Sequence, residues 1–452
     1  KLSSPYEGPS PIVVGAGPAG LFCALNLAEA GLKPRIIERG KDVKRRGRDV
    51  SRLYSKGNLD EESNVCFGEG GAGTYSDGKL YTRVNDPRFR RLLEAFVQHG
   101  AKPDILVNNR PHIGTDRLIK LLIAMRQHLE DLGTTFHFDT RVDDFLVQDG
   151  KVKGIETSTG ERIESEHVFV ATGHSAHQVW RNLESHGAQL ECRPFSLGFR
   201  VEHPQELINQ IRYGREAQND LLPAADYKLV HNQKNDDTRG VYSFCMCPGG
   251  VVVTTPTEPG ALCINGMSHA ARAGNYANSA LVVTVTPEDF ANAGHTGHFA
   301  GYQFQDDIER KAYVGGGGDF VAPANRVTDF LDGKISQDLP ATSYRRGLTP
   351  FPIQEIYPAP VIQALKQGLD RFNGKMRGFV TDEAKLIGVE TRTASPVRVI
   401  RDHESREAAG ITGLYPMGEG MGYGGGIASA AIDGMRSADA CLLALGGEEE
   451  QI

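Results

Sequence analysis

P-I-V-V-G-A-G-P-A-G, residues Pro11 to Gly20, is a short apolar run that breaks into Gly15-x-Gly17-x-x-Gly20 and then into the helical stretch Leu21 to Ala30. This pattern opens a βαβ unit of the dinucleotide-binding type. Gly15 makes the tight turn, Gly17 lets backbone approach a pyrophosphate, and Gly20 lets the helix pack against the strand. Gly31 ends the helix, Pro34 to Ile37 supplies a second β-run, and Glu38 follows eighteen residues after Gly20. A carboxylate there suits a ribose 2′-hydroxyl and opposes the 2′-phosphate of NADP, although Arg39 beside it weakens that opposition. FAD and NAD both stay open on these residues.

A chain of 452 residues exceeds the size at which one core stops growing, so two or more domains are expected. Its formal net charge of -7 offers no basic face for nucleic acid. The cluster Lys44, Arg45, Arg46 and Arg48 reads as a solvated face, or as phosphate contacts. No apolar run is long enough to span a membrane, and K-L-S-S-P-Y-E-G has no signal core, which points to a cytoplasmic protein. The chain opens on Lys1, so a segment can precede it. Seven scattered cysteines fit reduced thiols.

Phe67 to Leu80, F-G-E-G-G-A-G-T-Y-S-D-G-K-L, has five glycines yet carries Phe67, Tyr75 and Leu80. Ordering such a loop costs about 1–2 kcal/mol per residue, so it should wrap something, and a flat cofactor is the natural candidate. Leu118, Leu121, Leu122, Met125 and Leu129 recur at helical spacing over Asp116 to Leu132, with Thr115 as N-cap and Gly133 as stop. Thr135 to Phe138, Arg141 to Val147, Val152 to Thr157 and Arg162 to Glu164 read as a β-meander. H-V-F-V-A-T-G, His167 to Gly173, then returns beside the first strand and brings the small residues Ala171, Thr172 and Gly173 near a cofactor. A meander in this place, where NAD domains put a helix, favours FAD.

Near the end, Gly413 to Ala438 runs from the strand-like L-Y-P-M through Gly418-Glu419-Gly420 and Gly424 to Gly426 into a small-residue helix from Ile427. Free amides at such a helix start favour the anionic side of a reduced flavin, and Glu419 suits a ribityl hydroxyl.

Together, Gly15, Gly17, Gly20, Glu38, the Phe67–Leu80 loop, the A-T-G strand end and the closing G-E-G-M-G-Y-G-G-G resemble the glutathione-reductase-type FAD fold. C-M-C-P-G-G at Cys245 to Gly250 and V-E-T-R-T-A-S-P-V-R at Val389 to Arg398 resemble, more narrowly, the FAD-dependent dehydrogenases labelled NAD(FAD)-utilising, with geranylgeranyl reductases as distant relatives. The resemblance implies non-covalent FAD, with Gly15, Gly17 and Gly20 at the pyrophosphate, Glu38 on the adenosine ribose and Val142 pairing with adenine. It further implies Thr172 and Gly173 flanking the cofactor, Glu419 at the ribityl chain and Gly424 to Ile427 at the pyrimidine edge. Pro18, Ala19, Arg39, Gly70, Gly71, Thr74, Gly418, Gly425 and Gly426 complete the expected cofactor set, and no metal is expected.

The fold class expected is α/β: a discontinuous Rossmann-like FAD domain over 1–190 and 408–452, and a mostly-β α+β substrate domain over 191–407. Strand signals at Phe195 to Glu202, Val241 to Met246, Val251 to Thr255, Leu281 to Thr286 and Phe379 to Glu390 support the second. A-Y-V-G-G-G-G, ending at Gly318, mimics a nucleotide loop, but Pro323 and the missing helical period argue against a second NAD(P) domain. Candidate catalytic residues lie in this region. Cys245, in C-x-C, is either one of a redox thiol pair or structural, and Pro248-Gly249-Gly250 reads as a hairpin. His269 and Arg272 belong to a polar loop that is either an ordered network or a ligand loop. Glu390 and Arg392 share one strand face, and with Arg398 they are either a structural ion pair or an anion anchor with an acid or base near the flavin.

The function expected is an FAD-dependent oxidoreductase moving a hydride between flavin and a small organic substrate bound between the two domains, with NAD(P)H as a possible external donor. An aromatic monooxygenase is the first alternative, but that group's G-D-A-A-H does not match Gly418 to Gly422. A non-catalytic FAD redox sensor is the second. The sequence does not give the oligomeric state.

Overall fold

The computed structural model describes residues 2, 5–82, 84–108, 110–232 and 239–447. They form two compact units: Lys1–Val50 with Asp60–Arg193 and Ala394–Ile452, and Ser51–Leu59 with Pro194–Thr393.

The first unit is built on a five-stranded parallel sheet in the order Leu414–Pro416, Val168–Val170, Ile12–Val14, Arg35–Ile37, Thr135–His137. Ile12–Val14 sits in the middle and is wholly buried, as its unbroken apolar run requires of a strand covered on both faces. Pro18 starts the first helix, Pro18–Glu29, where its missing N–H and fixed φ cost nothing. That helix lies on the closing helix Ile427–Ala444, and the contact is close because Gly434 faces the backbone of Ala19. One turn on, Phe22 meets Phe96 edge to face at 5.4 Å.

Thr135–His137, expected in the meander, is the outer strand of the parallel sheet; only Val142–Gln148, Lys151–Thr157 and Arg162–Glu164 form the antiparallel meander. Thr115 is the first residue of its helix rather than its cap, and its hydroxyl instead donates to the Thr74 carbonyl at 2.6 Å. Residues 394–407, assigned from sequence to the second domain, group with the first unit. Val397–Val399 pairs with Leu190–Cys192, and Arg401 is bound to Asp433 on the closing helix, so this stretch is tied at both ends.

The second unit has a seven-stranded sheet in the order Val230–His231, Val241–Cys247, Tyr276–Val285, Phe195–Pro204, Lys385–Glu390, Ala322–Arg326, Leu348–Pro350. All its pairings are antiparallel except the last. Two helices of this unit, Ala300–Gly316 and Ala359–Lys375, have extensive buried faces. Gly315 and Gly316 end the former and Gly317 caps it in a left-handed conformation, so the glycine run is a helix stop and not a nucleotide loop. The Pro248–Gly250 turn is not a hairpin: it hands the chain from the large sheet to Val251–Thr254, which pairs with Ile264–Met267 in a separate ribbon.

A side chain at Gly434 has no room, since even a Cβ would collide with the Ala19 carbonyl. Gly434→Val should therefore cost about 3 kcal/mol by overpacking the two helices, read as a lower urea midpoint with an unchanged slope.

Candidate cofactor site

Within the first unit the glycine segments that lie far apart in sequence converge on one another. At Gly15, φ is +106° and an added Cβ would collide with the Ala171 carbonyl, so the first turn and the A-T-G strand end are in backbone contact. A Cβ on Gly20 would collide with the Gly15 carbonyl, which is the close helix–strand approach read from the motif. Gly70 donates its amide to the Ala16 carbonyl at 2.8 Å. A Cβ on Gly71 would stand 3.2 Å from the Gly17 Cα. The Phe67–Leu80 loop is thus laid against the first turn, with Gly73 against Ile427 at the head of the closing helix (2.9 Å from an added Cβ). Gly418 faces Ala19 in the same way at 2.8 Å, and Gly420 faces the Gly173 carbonyl.

Two buried ionic groups hold these pieces. Glu38 is 6 % exposed, and its Oε1 accepts from the Gly40 amide at 2.8 Å and the Gly68 amide at 2.9 Å, while Oε2 accepts from the Ala16 amide at 2.8 Å. One carboxylate therefore joins the first turn, the end of the second strand and the glycine loop. Arg46 is fully buried on the helix Val43–Lys56, against the expectation of a solvated basic face. Its guanidinium donates to the carbonyls of Asn64, Val65, Gly68, Glu69 and Gly71 at 2.6–3.3 Å and to Thr74 Oγ1 at 3.4 Å. The basic run gave no sign of this, because successive side chains on a helix point in different directions and neighbouring basic residues need not share a face.

The remaining expected cofactor residues fall around this centre. Pro18 and Ala19 are the first two residues of the helix that leaves the glycine turn. Arg39 pairs with Glu62 at 2.9 Å and covers the Phe67 ring, 3.9 Å from its centroid. Val142 is buried at the head of the meander, two residues after Thr140, whose amide donates to the Glu38 carbonyl at 3.0 Å. Gly425 and Gly426 are exposed before Ile427, with the Gly425 amide donating to Ser429 Oγ at 3.1 Å. Asp433, unnoticed in the sequence, accepts from the Gly418 amide at 2.9 Å while binding Arg401 and Arg406, and so fixes the turn before Glu419.

Two polar groups here lack partners. Thr172 Oγ1 is buried without a hydrogen bond. Among the described residues the Glu419 carboxylate has neither a hydrogen-bond nor an ion-pair partner, and desolvation pushes its pKa up to about 7. Orphaned acceptors and donors beside a side-chain-free cradle fit a polar, phosphate-bearing cofactor.

The catalytic candidates are all in the second unit. Glu390 and Arg392 do not pair with each other. Glu390 is held by the fully buried Arg200 (Nε to Oε2 at 2.6 Å, Nη2 to Oε1 at 3.0 Å); burial raises its pKa and Arg200 opposes the rise. Arg200 also donates to Asn278, Asn265 and the Cys245 carbonyl. Arg392 pairs with Glu309 at 2.7 Å and donates to Thr257 at 3.0 Å. Cys245 is exposed, at φ +44° in a β-bulge, whereas Cys247 is buried and its thiol donates to the Cys245 carbonyl at 3.3 Å; neither is bridged. His269 is exposed, with its carbonyl accepting from the Arg272 amide, and Arg272 packs its own carbonyl against Gly249. The bulge, the 248–250 turn and the 269–274 loop therefore share one region, with the Arg200–Glu390 pair beside it.

The family model of the FAD-dependent protein C-terminal domain matches residues 194–393, the span of the second unit, and an FAD binding domain matches residues 10–46. An uncharacterised protein of Clostridium beijerinckii is 43 % identical over 431 residues, covering 95 % of this chain and 80 % of that one. The chain belongs to this family of FAD-dependent flavoproteins. Among solved structures it is similar, at 11 % identity and a TM-score of 0.41, to glycerol-3-phosphate dehydrogenase from Bacillus halodurans complexed with FAD (99 % of this chain, 66 % of that one). It is also similar, at 13 % identity and a TM-score of 0.40, to a geranylgeranyl bacteriochlorophyll reductase-like protein from Thermoplasma acidophilum (96 % and 78 %). The FAD-dependent family carries an α/β flavin-binding domain and a sheet-rich second domain, as the sequence indicated.

Glu38→Gln puts an amide N–H against backbone donors, and Arg46→Lys leaves several buried carbonyls unpaired. Each should lower stability by about 2–4 kcal/mol in the FAD-free protein as well as the loaded one, measured by urea unfolding; a residue that only touched ribose would leave the FAD-free protein unmoved. Glu419 carries a raised pKa, so the folded state holds its proton longer than the unfolded chain. Stability of the FAD-free protein should fall as pH rises from about 4.5 to about 7 and then level. Glu419→Gln should remove roughly 1–3 kcal/mol of that fall, seen as a mutant more stable than wild type at pH 8 and no different at pH 4.5.

Proposed function

We propose that this flavoprotein is a dehydrogenase or reductase that moves a hydride between bound FAD and a small organic substrate. The observation that carries the reading is the cradle in the first unit, where Gly17 and Gly71 leave backbone exposed at the mouth of the first helix while Thr172 and Glu419 offer unpaired polar groups. Bound FAD supplies a two-electron centre that accepts or gives hydride. The chain's own groups bind and orient it. Amides at the start of Pro18–Glu29 would meet the pyrophosphate, aided by the positive end of that helix. Glu38 would take the adenosine ribose on its remaining lone pairs, and Val142 would meet adenine with its backbone. Thr172 Oγ1 and Glu419 would meet the ribityl hydroxyls, and the Gly424 and Gly426 amides would face the pyrimidine edge, the Gly425 amide being taken by Ser429 Oγ.

Glu419, with a pKa about 7, can hold or release a proton at its carboxyl near neutral pH. Reducing equivalents would come from an external donor such as NAD(P)H. Seven unbridged cysteines support a reducing compartment such as the cytoplasm. Cys245, His269 and Arg272 are the candidates for substrate contact in the second unit. Glu390 and Arg392 are saturated by Arg200 and Glu309, which favours a framework role for both.

Anaerobic stopped-flow tests the reading. NADH or NADPH should bleach the oxidised flavin band, and a substrate should restore it without oxygen, one equivalent per flavin. Incorporation of labelled dioxygen into a product would overturn it in favour of a monooxygenase.

A further inference from the structure

Arg193 is the last residue of the first unit before the chain enters the second, and Arg398 follows soon after its return. Arg398 stands on Val397–Val399, opposite Glu191 on Leu190–Cys192. Both guanidinium groups donate to the same acceptor, the Gly422 carbonyl: Arg193 Nη1 at 3.0 Å and Arg398 Nε at 3.3 Å. Arg398 also pairs with Glu191 at 3.0 Å and lies 5.2 Å from the Tyr423 ring centroid. Arg193 has no carboxylate partner among the described residues, and its side chain makes that single hydrogen bond. A guanidinium carries five donors, so most of those on Arg193 are unused.

The surroundings deepen the imbalance. Arg401 also lies over the Tyr423 ring, 3.5 Å from its centroid, and Arg401 and Arg406 share Asp433. Four arginines therefore gather at the Gly418–Tyr423 turn against two carboxylates, Glu191 and Asp433, in a chain whose formal net charge is -7. Burial first, and then the neighbouring Arg398, lower the proton affinity of Arg193. Like charges held this close, half out of water, cost free energy unless an anion offsets them.

We propose that Arg193 and Arg398 form an anion site that holds a carboxylate or phosphate group of the substrate beside the Gly422 turn. The site rests on the FAD reading, because Gly422 belongs to the turn that carries Glu419 toward the closing helix. Gly418 faces Ala19 at the first glycine turn, whereas Gly422 faces Arg398, so the arginine pair and the pyrophosphate cradle flank different parts of the segment. Two forked guanidiniums match the paired oxygens of a carboxylate or phosphate. Glu191 competes with such an anion for Arg398.

Calorimetric titration of the FAD-loaded protein with benzoate and, separately, inorganic phosphate tests the site, with the FAD-to-protein ratio measured on every sample. Wild type should bind at least one of them saturably, and the one bound identifies the chemistry. Arg193→Met and Arg398→Met should weaken binding about tenfold or more, and Arg193→Lys should keep part of it. Glu191→Gln should tighten binding several-fold by releasing Arg398, a change of opposite sign that no loss of folding can mimic. FAD content should be the same throughout. The proposal is overturned if wild type binds neither anion, if the arginine and Glu191 variants bind like wild type, or if FAD is lost in step with the arginines, which would assign the pair to the cofactor. Wild-type protein that takes up no FAD overturns the cofactor reading itself, and that result is read before any anion is added.

Discussion

The carboxylate of Glu38 is the constraint on which the first unit depends. A parallel sheet fixes where its strands end, but the loops beyond those ends have no ladder to hold them, and here they must also stay free of side chains. Three backbone amides from three segments converge on this one buried group, so the glycine turn, the second strand and the glycine-rich loop take up a common geometry. Because the bonds run to charged oxygen they are stronger than a neutral equivalent. The position that dinucleotide folds reserve for ribose recognition thus also serves as a structural joint.

Arg46 complements it from behind the loop. Glycine-rich backbone carries a large entropy cost of ordering and offers almost no side chains with which to repay it. A fully buried guanidinium that collects the carbonyls of Asn64, Val65, Gly68, Glu69 and Gly71 supplies the missing enthalpy from outside the segment. Glu38 takes the Gly68 amide and Arg46 takes carbonyls of the same loop, which leaves Gly71 pressed toward Gly17 with no side chain between them.

How far these features were legible in the sequence depends on what each one is made of. Gly15, Gly20 and Glu38 were readable because backbone crossing backbone admits no other residue at the glycines, and because the acid ends a strand of obvious pattern. The convergence of the Phe67–Leu80 loop and the Gly418–Ile427 turn on them was readable as shared composition. Arg46 was not, since a buried arginine and a solvated one look alike in a run of four basic residues. Glu390 and Arg392 do not share a strand face as expected, since the strand Lys385–Glu390 ends at Glu390, and their partners come from elsewhere in the fold: Arg200 from the adjacent strand Phe195–Pro204, Glu309 from the helix Ala300–Gly316. Strand register and helix placement are set by the whole sheet, and no local spacing encodes them.

Those partners bear on where the chemistry can reside. The second unit buries Arg200–Glu390, Arg392–Glu309 and Lys385–Glu202 within or beside one sheet. Each pair pays a desolvation cost that a hydrophobic pair would avoid, and each is too well satisfied to bind anything else without breaking. They specify the register of Phe195–Pro204 against Lys385–Glu390 and fix the helix Ala300–Gly316, a role that needs charge complementarity but no access. Reactive or binding groups are in the opposite condition: incompletely satisfied. In the first unit Thr172, Glu419 and Arg193 meet that description, and all three lie at or beside the loops that follow the strands Val168–Val170, Leu414–Pro416 and Leu190–Cys192. The stabilising charges and the unspent polar groups are therefore carried by different residues; Thr172 and Glu419 lie where parallel strands end, and Arg193 where the antiparallel ribbon strand Leu190–Cys192 ends.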